Sequence, residues 1–122
     1  MKISKALADY CESIGVRFAL NEDTRIGIVI SKRLINFNST QLAEFEAKYD
    51  NAIDTIVLHE LGHLADSGNF LSTEFYLEWS GMDNHRVLQC EIQATNIGIE
   101  LGKTLGIAVN EDLLIDALET YK

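Results

Sequence analysis

A five-residue segment, HELGH at positions 59–63, constrains this chain more than any other part of its sequence. The segment lies within a stretch from about residue 50 to residue 65 whose apolar residues recur at helical spacing. On a helix, residues four apart lie on one face about 6 Å from each other, so His59 and His63 can bind the same ion. The sequence therefore predicts a core helix that carries two metal ligands.

The spacing of this HExxH motif is typical of zinc-binding helices. In this interpretation His59 and His63 bind Zn²⁺, and Glu60 lies beside the open side of the metal. Its carboxylate would accept a proton from an activated water and pass it to a leaving amine, while zinc polarises the attacked carbonyl. The alternative is that both histidines are ordinary surface residues. Two of only three histidines in the chain have this spacing, which disfavours that alternative.

The third ligand is open between two residues, because a catalytic zinc normally has three protein ligands plus water. Glu91 is favoured, since small residues follow it on the same helical face and would let its helix approach the motif helix closely. These small residues are Ala94, Thr95 and Gly98. His85, near the start of the same helix, is the alternative ligand. A third histidine at position 69, as in the longer zinc motif, is excluded because that residue is Asn69.

Three further side chains are candidates for the site. Tyr76 and His85 can each donate a hydrogen bond to an oxyanion. Each also has an ordinary structural role: Tyr76 belongs to an aromatic segment that is more often core, and His85 can be a surface residue. Asp66 can orient a ligand imidazole or simply end the motif helix.

The order of the predicted elements favours an α+β fold, because strands and helices are segregated along the chain. We expect an α+β, zincin-like domain in which a small antiparallel sheet packs on the helix that carries HExxH. Residues 1–122 are interpreted as a single domain. Segment 72–82 is open between a short helix and a packed loop. The predicted strands are 16–20, 26–30 and 34–37, and the predicted helices are 3–14, 41–48, 50–65, 85–105 and one that begins after Asn110.

The charge and cysteine content exclude several classes of protein. The chain has 10 basic and 19 acidic residues, a net charge of −9, and no basic stripe for a phosphate backbone, so direct nucleic-acid binding is disfavoured. Cys11 and Cys90 lack the spacing of a zinc ribbon or a redox pair. No apolar run approaches the roughly 18 residues that span a bilayer, and no signal peptide is evident. We expect a cytoplasmic protein with no membrane association.

Taken together, these residues give the chain a resemblance to the ImmA/IrrE family of compact zinc metallopeptidases. The resemblance covers roughly residues 16–105 and depends on RLINFN at 33–38, TIVLHELGH at 55–63 and the E-x-x-A setting of Glu91. It implies zinc held by His59, His63 and Glu91, with Glu60 as the general base. It also implies limited proteolysis of a regulatory protein, often a repressor from a mobile element or a stress-response regulator.

Two other classes of function stay open. One is a non-catalytic binding protein or inhibitor that keeps the zincin scaffold and docks its acidic surface on a basic partner. The presence of Glu60 counts against it, since a pure scaffold does not need that carboxylate. The other is a hydrolase that acts on a bond other than an internal peptide bond, because the same activation of water attacks any polarised carbonyl.

Overall fold

The computed structural model describes residues 2–66 and 84–119. Within these ranges a small sheet is followed and preceded by α-helices, so the chain is α+β, as expected. A 3₁₀ turn, Ile30–Lys32, joins the second strand to the third. The elements in chain order are α1 (Lys5–Ser13), β1 (Arg17–Leu20), β2 (Gly27–Val29), β3 (Leu34–Phe37), α2 (Ser39–Lys48), α3 (Ala52–Asp66), α4 (Asn84–Leu105) and α5 (Glu111–Glu119).

The three-stranded sheet is mixed, and the prediction of an antiparallel sheet is wrong. Strand β3 is central and pairs in parallel with β1 and antiparallel with β2. Residues 21–26 carry the chain away from β1 without a hairpin, so β2 pairs with β3 instead, through a tight turn that ends at Arg33 with φ 47°. In the described part of the chain, β2 is therefore an edge strand with one strand neighbour.

Helix α3 is the central helix of the domain. Eleven of its fifteen residues are buried, including the apolar residues Ile53, Ile56, Val57 and Leu61. It shares a hydrophobic core with α1 and the sheet, whose most buried apolar side chains are Leu7, Cys11, Ile35 and Phe37. Polar side chains on α3 are thus placed inside the protein, where an unpaired polar group is costly.

Two asparagines cap the helices that flank α3, and the one before α5 lies where the sequence predicted a helix to begin. Asn38 accepts a hydrogen bond from the Gln41 N–H (3.1 Å) at the start of α2. Asn110 accepts one from the Leu113 N–H (3.1 Å) at the start of α5. The N–H of Asn110 also donates to Oγ1 of Thr55 (2.9 Å), which ties the start of α5 directly to α3.

Both cysteines, Cys11 and Cys90, are free and buried. Neither of the described ranges, 2–66 and 84–119, contains a helix that is long and apolar enough to cross a membrane.

Candidate metal centre

The candidate site forms where the backbones of α3 and α4 come into contact. A Cβ atom at Gly62 would lie 2.0 Å from the carbonyl oxygen of Ala94, and one at Gly98 would lie 2.6 Å from that of Leu58. Neither position can accept a side chain unless the helices separate. The close approach predicted from the small residues of α4 is confirmed. Gly62, inside the motif itself, contributes to it equally and was not foreseen.

This helix contact brings the carboxylate of Glu91 to both motif histidines. Its Oε2 atom lies 2.7 Å from Nε2 of His59 and 3.1 Å from Nε2 of His63. The three candidate ligand atoms all lie within 4.8 Å of one another. Among the residues that the structure describes, this cluster can hold a metal ion.

The donor set of the cluster fits a metal ion. Two imidazole nitrogens and one carboxylate oxygen are a donor set found at zinc sites. Around a tetrahedral ion with bonds of about 2.1 Å, neighbouring ligand atoms are about 3.4 Å apart. The two separations that involve Glu91 are about 0.7 and 0.3 Å shorter than this, so the side chains would have to move apart to admit an ion. His63 and Glu91 are buried, whereas the side chain of His59 is 16% exposed, which leaves access from one side.

Charges inside the cluster shift the pKa of two of its members. Burial raises the pKa of Glu91, but the hydrogen bonds donated by His59 and His63 outweigh burial and lower this pKa to about 2. Burial lowers the pKa of His63, yet its hydrogen bond to Glu91 and the charges of Glu60, Glu91 and Asp66 raise this pKa overall. Glu91 is therefore ionised at neutral pH, which is the state a metal ligand requires.

Thr95, one helical turn after Glu91, contacts the second ring nitrogen of His59. Its buried Oγ1 lies 3.1 Å from Nδ1 of His59. When Nε2 of a neutral imidazole binds a metal, Nδ1 carries the proton and donates it, here to the Thr95 hydroxyl. From the sequence, Thr95 is predicted only as one of the small residues that let α4 approach α3. The sequence feature that could have indicated this contact is a polar residue four positions after Glu91, on the same helical face.

Glu60 lies beside the cluster without belonging to it. It is 8% exposed and lines the same cavity as His59, His63 and Glu91. The role of Glu60 as a general base stays a prediction. Asp66, fully buried at the end of α3, has a pKa raised by burial and partly lowered by the charge of His63. The charge of Asp66 in turn helps to raise the pKa of His63.

The cavity extends from the cluster into a groove between β2 and α5, with a volume of about 480 Å³. Its lining beyond the cluster is mostly apolar and comes from segments that are far apart in sequence, so no local sequence pattern indicates it. The apolar residues are Ile26, Ile28, Phe45, Ile56, Leu113, Leu114, Ala117 and Leu118. We call this feature the α5 groove.

Two of the predicted site residues are not placed. His85 lies in the first turn of α4, but its side chain is outside the described part of the structure. Tyr76 and the ambiguous segment 72–82 lie within residues 67–83, which are outside the described residues. The proposed oxyanion role of each stays a prediction, as does the role of His85 as the alternative third ligand.

Comparisons with protein-family models, curated proteins and solved structures give no match to this chain. The resemblance to the ImmA/IrrE family therefore depends on the motif residues and their spacing alone, and a zincin-like fold stays a prediction. The structure itself defines a class of site, in which two closely packed helices present a His-His-Glu cluster that can bind a metal ion.

Proposed function

We propose that the protein is a zinc-dependent metallopeptidase that cuts a regulatory protein at few sites. The observation that carries this proposal is the placement of Glu60, which is buried beside a three-ligand cluster and lines the same cavity. Burying a carboxylate is costly, so a position that retains one inside the domain favours a use for its charge. A cluster that only stabilised the fold would not need this carboxylate.

Zinc is the metal that the donor set supports best. Two histidines and one glutamate are the ligands of a known type of catalytic zinc, which keeps a fourth position open for water or substrate. When bound, zinc supplies Lewis-acid polarisation of a carbonyl and makes water more acidic. His59, His63 and Glu91 would hold it, and Thr95 would fix the orientation of the His59 ring.

Glu60 would serve as general base and then as general acid. Its carboxylate accepts a proton from the attacking water and returns that proton to the nitrogen of the leaving amine. The edge strand β2 supports a peptide as substrate, because an extended segment can pair with an unpaired strand edge. Since the α5 groove borders β2, a segment bound there would pass beside Glu60.

Limited cleavage of a regulator, such as a repressor, is supported by the family resemblance and by the danger of a broad peptidase free in the cytoplasm. The non-catalytic binding protein is the alternative. The two proposals differ in what they require of Glu60, since only catalysis needs its proton transfer.

The test compares wild-type protein with Glu60→Gln, which is nearly isosteric but cannot accept the proton. Both proteins are loaded with zinc, assayed for metal content and incubated with a library of synthetic peptides of random sequence. We expect equal zinc content and a loss of cleavage of about 10²–10⁴-fold, the usual contribution of a positioned base. The matched control is Glu100→Gln, whose carboxylate is exposed on α4 and pairs with Lys103. Unchanged cleavage by Glu60→Gln would contradict the proposal.

A further inference from the structure

We propose that helix α5 selects the substrate, because its inward face forms one wall of a groove that takes a single large apolar side chain next to the bond that is cut. The inference rests on the proposed peptidase function and adds the class of substrate residue. It makes Leu114, Ala117 and Leu118 specificity-determining residues.

The first support is the orientation of α5. Four of its residues, at positions 113, 114, 117 and 118, line the cavity that contains the metal ligands. Residues spaced in this way share one face of a helix. Ile115 lies on the other face and is 54% exposed. The helix therefore presents an apolar face to the groove and a separate face to solvent.

The second support is the chemistry of the remaining lining. Ile26 and Ile28 line the groove on the side of β2, and Phe45 and Ile56 line it from α2 and α3. Outside the ligand cluster and Glu60, the polar side chains among the described lining residues belong to Arg25 and Gln41. Arg25 is exposed, and Oε1 of Gln41 already accepts a hydrogen bond from the Ile26 N–H (2.8 Å). The groove thus favours an apolar occupant.

The third support is continuity with the metal cluster. His59, His63 and Glu91 line the same cavity of about 480 Å³, which is within the usual range for ligand pockets. A group bound against α5 therefore lies beside the proposed reaction centre. Every CH₂ group buried there is expected to increase affinity about fourfold.

The fourth support is that the wall is anchored. The N–H of Asn110 donates to Oγ1 of Thr55 (2.9 Å), and its side-chain amide donates to the carbonyl oxygen of Asp50 (2.9 Å). These two hydrogen bonds fix the start of α5 against α3 and the preceding turn. A wall held by two such bonds can discriminate between side chains of different size.

The test uses two hydroxamates that bind zinc through the same group and differ in the attached chain. Acetohydroxamate carries a methyl group, and 4-methylpentanohydroxamate carries a branched chain one CH₂ group longer than a leucine side chain. We expect the larger compound to bind zinc-loaded wild-type protein at least about 30-fold more tightly, measured by calorimetry. This measurement does not require hydrolysis, so it separates the groove from the proposed function.

Two substitutions in α5 test whether the preference for the larger hydroxamate arises at the inward face of this helix. Ala117→Phe fills the groove and should reduce the preference to about threefold or less, because it weakens the larger compound more than acetohydroxamate. Ile115→Phe introduces the same side chain on the exposed face and should leave both affinities unchanged. If Ala117→Phe fails to fold, as judged by circular dichroism, Leu118→Ala serves instead and should weaken only the larger compound, by about 5-fold or more.

Equal binding of the two hydroxamates by wild-type protein would overturn the inference, even if the protein cleaves peptides. So would an equal effect of Ala117→Phe and Ile115→Phe. If neither compound bound, the proposed metal centre and this inference would both be contradicted. A clear size preference without any peptide cleavage would leave the groove intact and contradict the proposed peptidase function.

Discussion

Oγ1 of Thr95 lies 3.1 Å from Nδ1 of His59, while Oε2 of Glu91 lies 2.7 Å from Nε2 of the same ring. Two side chains on one face of α4 thus contact the two ring nitrogens of His59. The carboxylate of Glu91 contacts Nε2, and the hydroxyl of Thr95, one turn later, contacts Nδ1. The ring of His59 is positioned by α4 as much as by its own helix.

Replacing Thr95 with valine should therefore weaken metal binding without unfolding the protein. Valine keeps the shape of the side chain but removes the acceptor of the Nδ1–H hydrogen bond. Loss of such a partner typically costs 10–100-fold in metal affinity, which competition with a chromophoric zinc chelator measures. Thr95→Ser retains the hydroxyl and should bind zinc within about threefold of wild-type protein. Equal affinities for the valine and serine variants would show that Thr95 acts only through packing.

Gly62→Ala should strongly destabilise the domain, because its Cβ would lie 2.0 Å from the backbone oxygen of Ala94. Overpacking a core usually costs about 1–3 kcal/mol, and a clash with backbone belongs at the upper end or above it. Gly27→Ala is the control for stability, since no atom lies within 4 Å of the Cβ position there. Urea denaturation measures both free energies of unfolding. Similar values for the two variants would mean that α3 and α4 are not in contact as described.

Glu91→Gln should lose zinc during dialysis, because the amide is a much weaker ligand than the carboxylate. The control is Glu100→Gln on the exposed side of α4, which should retain about one zinc per chain. His85→Ala should also retain zinc if Glu91 is the third ligand. Metal analysis of the dialysed proteins distinguishes these cases, and loss of zinc from the His85 variant alone would assign the third ligand to His85.

Protein stripped of metal should be most stable between about pH 4.5 and pH 6.5. The pKa of Glu91 is lowered to about 2, so its stabilising contribution is present above its usual range and is lost as pH falls towards 2. The pKa of His63 is raised above 6.5, so its contribution is complete below that value and is lost as pH rises through the higher pKa. The lowered pKa of Glu91 contributes about 3 kcal/mol to the free energy of unfolding of the metal-free protein.

Denaturation of the chelator-treated protein at a series of pH values checks this profile. In Glu91→Gln the free energy of unfolding should vary less with pH in the acidic range, because the titrating carboxylate is gone. The loss of stability as pH rises should also be smaller, because Glu91 no longer raises the pKa of His63. Zinc should shift the profile in the opposite direction, since the metal competes with the His63 proton and binds more tightly as pH rises. A metal-free protein that grows steadily more stable from pH 6.5 to pH 9 would contradict the assignment.

The features that the sequence predicted best are those that lie within a single helix. The periodicity of α3, the helix start after Asn110 and the small residues after Glu91 all depend on local spacing, which a sequence displays directly. The pairing of β1 was predicted wrongly, because its parallel alignment with β3 depends on the path of residues 21–26 and not on the strand's own residues. The α5 groove was missed for a related reason, since its walls meet only after four segments have packed.

Gly62 and Gly98 also limit how this protein can change by descent. A lineage that abandoned the metal would be free to exchange His59 or His63, since selection on their ligand atoms would end. The same lineage could not exchange either glycine while α3 and α4 keep their backbone contact. In divergent descendants the pair of glycines, 36 positions apart, should therefore persist longer than the histidines and mark common ancestry after the chemistry is lost.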